Sequence, residues 1–117
     1  MVKDAEFVFI AYGIVARICY SAAQALRKQG IKAGLLRPKT LFPFPKAPIE
    51  ALARRKIPLG VVELSSGQMA DDVDLTVKGA VPVYRYLTMG GETPTVGELI
   101  EAVKHDLAQR KKGGLYA

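Results

Sequence analysis

The nearest thing to a reactive grouping in this chain is Glu63, at the end of an apolar run, followed by Ser65, Ser66, Gly67 and Gln68. A carboxylate closing a buried strand beside a Ser-Ser-Gly turn is where α/β proteins often place polar function. The same carboxylate can cap the turn's backbone N–H groups, and that structural role is the favoured reading. Ser66 lacks the Gly-x-Ser-x-Gly setting of a hydrolase nucleophile, and the single histidine, His105, falls in the last helix. A second grouping, Ala11-Tyr12-Gly13-Ile14, joins a strand to a helix, where a phosphate can meet helix N–H groups. It carries one glycine rather than the Gly-x-Gly-x-x-Gly of dinucleotide sites, so Gly13 reads as the pivot of a tight turn. Asp71, Asp72 and Asp74 invite a metal reading, but three acids in one helical turn point in different directions, which favours a solvated acidic face. The one cysteine, Cys19, lies on the apolar side of a helix and reads as a buried, inert thiol. A lone cysteine excludes an intramolecular disulfide and an iron–sulfur cluster, which takes about four thiolates. A single histidine also argues against a His/Cys zinc site. No nucleophile, base and electrophile come together, so the expectation is a domain that is not itself a catalyst.

The elements that hold these residues follow from periodicity. Phe7 to Ala11 is continuously apolar, as a strand buried on both faces must be. Val15, Ile18, Cys19, Ala22 and Leu26 recur at helical spacing over Ile14 to Gln29, and Gly30 is a fitting stop. Ile31 to Leu36 is a second strand. Pro48 suits the first position of a short helix with Ile49, Leu52 and Ala53 inward. Leu59 to Leu64 is a third strand, and a helix from Gln68 buries Met69, Val73 and Val77 until Gly79 stops it. Val81 to Leu87 is a fourth strand with Tyr84 and Tyr86 on one face. Thr95 and Glu98 have capping-box spacing before a last helix that turns Leu99, Ile100, Val103 and Leu107 inward. Glu101/His105 and Asp106/Arg110 stand as i, i+4 pairs on its polar side. This alternation predicts a three-layer α/β/α fold around a mainly parallel sheet.

Between the second strand and second helix, Leu36-Arg-Pro-Lys-Thr-Leu-Phe-Pro-Phe-Pro45 packs three prolines and two phenylalanines into ten residues. Proline lacks the ladder donor and drives its predecessor toward extended geometry, so this segment is a stiff, partly apolar loop. The chain of 117 residues forms one domain, residues 1–117, with half its residues apolar and a quarter charged. Its net charge of +6 comes in small groups, three of them at predicted helix C-termini where cations complement the dipole. No aromatic and basic interleaving suited to base stacking accompanies them, which argues against a nucleic-acid partner. No apolar run approaches the roughly 20 residues of a membrane span. With a polar, acidic start in place of a secretory signal, a cytoplasmic protein is expected.

Four segments occur in order along the chain: Phe7-Val-Phe-Ile-Ala-Tyr-Gly13, Leu36-Arg-Pro-Lys-Thr-Leu-Phe-Pro-Phe-Pro45, Val61-Val-Glu-Leu-Ser-Ser-Gly-Gln-Met69 and Met89-Gly-Gly91. Together they resemble the C-terminal domain of the alpha subunit of 2-oxoacid:ferredoxin oxidoreductases, a relative of the transketolase C-terminal domain. The resemblance runs from about Glu6 to Val103. It implies strand order 2-1-3-4 and a place in a complex that oxidatively decarboxylates a 2-oxoacid to acyl-CoA. That complex would use thiamine diphosphate, Mg²⁺ and iron–sulfur clusters held outside this domain, with ferredoxin and CoA as indirect partners. In such an order the topological switch sets Tyr12 and Gly13 opposite Glu63, Gly67 and Gln68. The resemblance also implies an edge strand supplied by preceding chain, which residues 1–5 are too short to form. An exposed edge on the second strand and a possible homodimer through it follow. The expected role is docking against other domains and subunits, with Phe42 and Phe44 as apolar anchors and Arg37 as a polar contact. The alternative is a regulatory module that binds CoA or an anion at the Gly13/Gly67 crevice with help from Arg37 or Lys39.

Overall fold

The computed structural model describes residues 2–39, 44–64, 67–87 and 93–112. Phe42 and the rest of the tip of the proline loop, the Ser65-Ser66 pair, the Met89-Gly90-Gly91 segment and the 113–117 tail lie outside them. Eight elements alternate: β1 (Phe7–Ile10), α1 (Ile14–Lys28), β2 (Ala33–Leu36), α2 (Lys46–Arg54), β3 (Leu59–Glu63), α3 (Gln68–Val77), β4 (Val83–Leu87) and α4 (Val96–Lys112). The four strands form one sheet in the order β2-β1-β3-β4, with every pairing parallel. Both the order and the α/β class agree with expectation.

Alternation along buried strands divides the core in two. Val8, Ile10, Leu59 and Val61 face α2 and α3, where Ile49, Leu52, Met69, Val73 and Val77 meet them. Phe7, Phe9 and Val62 face the other way, onto Val15, Cys19, Ala22 and Leu26 of α1 and Leu99 and Val103 of α4. Strands buried on both sides can have no polar face, which is why β1 and most of β3 read as unbroken apolar runs. On the α1/α4 side the aromatic rings are crowded, with Phe7 edge-on to Phe9 at 5.1 Å between centroids and stacked on Tyr84 at 6.5 Å. Gly60 makes room for them: a Cβ there would lie 2.5 Å from Phe7 Cζ and 2.8 Å from Tyr86 Cε2.

The element ends depart from expectation in small, explicable ways. β2 begins at Ala33 and β4 at Val83, each two residues late, and Pro48 is the third helical residue of α2, not the first. The third position is equally tolerant, because none of the first four helical N–H groups has an intrahelical acceptor. The capping box of α4 forms as expected: Thr95 N donates to Glu98 Oε1 at 2.9 Å and Glu98 N donates to Thr95 Oγ1 at 3.1 Å. These bonds from Thr95 hold the Glu98 carboxyl below its usual range. The Asp106 carboxylate serves β4, accepting the Tyr86 hydroxyl at 2.7 Å. Burial, and then this bond to Asp106, push the Tyr86 phenol well above its ordinary value.

The acids of α3 lie on a solvated face, as expected, and two of them are paired there. Asp71 and Asp74 lie one turn apart and converge on Arg85 of β4, Asp71 at 2.9 Å, so the helix is laced to the edge strand. The hydrogen bonds to Asp74 and Asp71 raise the Arg85 pKa further.

Two more arginines fasten the start of the chain. Arg27 donates to Asp4 through both terminal nitrogens, at 2.9 and 3.0 Å, and through Nε to Ala33 O at 2.7 Å. Arg55 donates to Val2 O and Lys3 O at 3.0 and 2.7 Å. The edge of β2 is therefore narrower than expected. Glu6 N and Ala11 N bond Lys32 O and Leu36 O, so alternation turns Ala33 and Leu35 outward. Ala33 O is taken by Arg27 and Ala33 N by Ile31 O, which leaves Leu35 as the outward residue of the strand.

Candidate functional site

The carboxyl ends of β1 and β3 are neighbours in the sheet, with Ile10 opposite Val61. The loops that follow them diverge to opposite faces, which makes this the switch point of the sheet. On the β1 side, Gly13 has φ 65° and ψ −147°, a conformation essentially closed to residues with a Cβ. Its neighbours Tyr12 and Ile14 are 40% and 65% exposed. On the β3 side, Gly67 adopts φ 100° as the N-cap of α3, and Gln68 is exposed. Leu64, one residue beyond β3, is 37% exposed.

Glu63 lies between these loops and is the one buried charged residue among those described, 3% exposed. Its Oε1 accepts Met69 N at 3.2 Å and its Oε2 accepts Ala70 N at 2.8 Å. Gly67 has no side chain with which to cap α3, so the preceding strand supplies the carboxylate. The negative charge sits where the helix dipole favours it. This is the structural role read from the sequence. It also occupies N–H groups that an anion in the Gly13/Gly67 crevice would need.

Other sequence-selected residues are dispersed. Phe44 is half-buried and packs against the α2/α3 core, so it helps close that core. Arg37 is exposed beyond the end of β2 and borders a groove with Arg17, Tyr20, Ser21 and Leu35, on the flank of α1. Another concavity, of about 580 Å³, opens at the amino end of the sheet, lined by residues that include Lys56, Lys104 and Leu107. Cys19 is fully buried, and burial pushes its thiol up to about 12, the character of an inert core residue. Ile14 and Leu64 were missed by pattern reading because each looks like core by type. The available signal was position, since both stand one residue or a turn beyond a strand's carboxyl end.

A family model described as "Pyruvate:ferredoxin oxidoreductase core domain II" matches residues 5–99. The chain belongs to this core domain II family. Among curated relatives, the ketoisovalerate oxidoreductase subunit VorB of Methanothermobacter marburgensis is 42% identical over 104 residues, 89% of this chain and 29% of that protein. The 2-oxoglutarate synthase subunit KorA of Methanothermobacter thermautotrophicus is 32% identical over 103 residues, 88% of this chain and 27% of that protein. The core domain II chain thus spans under a third of the length of these relatives. Two solved structures share its fold. The 2-oxoglutarate:ferredoxin oxidoreductase of Magnetococcus marinus superimposes with TM-score 0.70 at 23% identity, over 90% of this chain and 18% of that one. A split-gene transketolase gives TM-score 0.72 at 20% identity, over 88% and 38%. The fold is therefore transketolase-like.

The donor set does not suit an iron–sulfur cluster, which takes about four thiolates. A single cysteine is present, and among the described residues no three His, Cys, Asp or Glu side chains are grouped to hold a metal ion. Glu63 already has N–H partners on both oxygens. No described helix is long and apolar enough to cross a membrane.

Proposed function

We propose that this chain is a non-catalytic docking domain of a thiamine-diphosphate-dependent 2-oxoacid:ferredoxin oxidoreductase. The whole complex would oxidatively decarboxylate a 2-oxoacid to acyl-CoA, with thiamine diphosphate, Mg²⁺ and iron–sulfur clusters held by other domains, in the cytoplasm. Family membership supports the setting. One observation supports docking: of five large apolar side chains exposed among the described residues, Tyr12, Ile14 and Leu64 stand at the carboxyl end of the sheet. An exposed cluster of this kind, on loops anchored by a rigid sheet, suits a protein interface better than open solvent. Glu63, the buried carboxylate at that end, is committed to α3, so the face offers shape and apolar area in place of proton transfer.

Titration calorimetry of the chain against the thiamine-binding polypeptide of the oxidoreductase tests this reading. The pair Tyr12→Ala/Ile14→Ala is expected to weaken binding ten- to a hundredfold, about 1.4–2.8 kcal/mol. Leu75→Ala, at an exposed site on α3, should leave it unchanged. Equal affinity for all three proteins would remove the proposal.

A further inference from the structure

Asp and Glu are absent from residues 7–49, a stretch that carries seven Lys and Arg, whereas from Glu50 onward the chain has nine residues of each sign. The whole of the net charge of +6 therefore arises in β1, α1, β2 and the approach to α2. Of these cations, Arg27 is held by Asp4. Arg17, Arg37, Lys39 and Lys46 are exposed and have no ion-pair or hydrogen-bond partner among the described residues. All four stand at the carboxyl end of the sheet. Arg37 and Lys39 follow β2, whose last residue, Leu36, is beside Ile10. Arg17 lies in the first turn of α1, three residues after Ile14, and Lys46 opens α2. The helix dipole favours anions at such starts, yet neither first turn holds an acid. α3 and α4 do follow that preference, with Asp71 and Glu98 in their first turns. Two cations thus stand where the fold disfavours them, as happens where a surface is kept for a partner.

From this distribution we infer that the docking partner presents an acidic protein surface to the β1–β2 half of the carboxyl-end face. The inference rests on the docking reading above, and adds to it the partner's charge and the orientation in which it seats. Tyr12 and Ile14 supply the apolar contact, and carboxylates at the partner's rim match the cations around them. Arg17 and Arg37 offer planar forks that take a carboxylate through two bonds, whereas Lys39 and Lys46 act as point charges. The β3–β4 half carries the opposite sign at its helix starts, Asp71 and Asp72 on α3 and Glu98 on α4. A reversed pose would set like charges against each other, so the same pattern that draws the partner in also turns it the right way round. The pattern resides in loops and helix starts at the carboxyl end and does not depend on what lies beside β2.

Stopped-flow association of the chain with the thiamine-binding polypeptide tests it. The association rate is expected to fall about tenfold or more between about 0.01 and 0.15 M salt, with dissociation little changed. Arg17→Gln/Lys46→Gln should slow association about fivefold at low salt, and should raise the thermal midpoint because both cations oppose a helix dipole. Lys56→Gln/Lys104→Gln removes equal charge beside the amino-end concavity and should leave the rate nearly unchanged. A rate independent of salt, or one slowed equally by both pairs, would overturn the inference and leave docking standing. So would a midpoint lowered by Arg17→Gln/Lys46→Gln, which would make those cations part of the fold. Absence of any association would remove the docking reading and this inference with it. Tighter binding of a short DNA duplex than of the polypeptide, lost in Arg17→Gln/Lys46→Gln, would overturn it by assigning the cations to a nucleic acid.

Discussion

Both oxygens of Glu63 accept N–H groups of the first turn of α3 from a position closed to water. A buried carboxylate of this kind is costly to disturb, because its partners lose their acceptor in the same place where no solvent can replace it. Glu63→Gln keeps the shape but turns an amide NH₂ toward at least one N–H donor. It is expected to lower stability by about 2 kcal/mol in urea denaturation, with the m-value unchanged. An unaltered midpoint would mean the capping bonds contribute nothing. This residue was legible in the sequence, since a carboxylate placed between a buried strand and a glycine-led helix has few other uses. Gly60 was not singled out. Its requirement comes from Phe7 and Tyr86, on two other strands, and no local pattern reveals what crosses above a glycine.

α1 and α2 end in the same way. Ile31 N bonds Leu26 O and Gly30 N bonds Arg27 O; Ile57 N bonds Leu52 O and Lys56 N bonds Ala53 O. Each is a Schellman closure that hands the chain to the next strand through an isoleucine. The left-handed position is Gly30 in one, φ 87°, and Lys56 in the other, φ 61°. A Cβ in that region costs about 1–2 kcal/mol, and glycine returns part of this as unfolded-chain entropy. Lys56→Gly is therefore expected to stabilise the domain by about 0.5 kcal/mol, read as a rise in thermal midpoint. A fall would show that the lysine side chain makes a compensating contact. The elements themselves were readable, because amphipathic spacing in α1, α2 and α3 and unbroken apolar runs in β1 and β3 leave little choice. Their ends were less so: β2 starts at Ala33 because Ile31 is still closing α1, and Ile31 O accepts Ala33 N.

For the molecule as a whole, the first residues are strapped down from both sides of the sheet, by Arg27 on α1 and by Arg55 beyond α2. The bond from Arg27 holds the Asp4 carboxyl at about 2, below its ordinary 3.8. A depressed carboxyl stabilises the fold above its unfolded value and loses that contribution as pH falls through the folded one. The thermal midpoint of the native chain should exceed that of Asp4→Asn above pH 4, and the gap should close by about pH 2. A gap independent of pH would assign the effect to something other than this charge. Strand order could be read from family resemblance, whereas the straps could not, since they join residues 23 and more than 50 positions apart. Ala5 and Glu6 line the same concavity as Leu107 and Ala108. Residues 5–6 and 107–108 thus share one side of the domain, with the carboxyl-end loops on the far side. Further chain joined at that side leaves the carboxyl-end loops open, as insertion of a cassette would. Circular permutation, by the same geometry, would move the junctions while leaving the carboxyl-end loops alone.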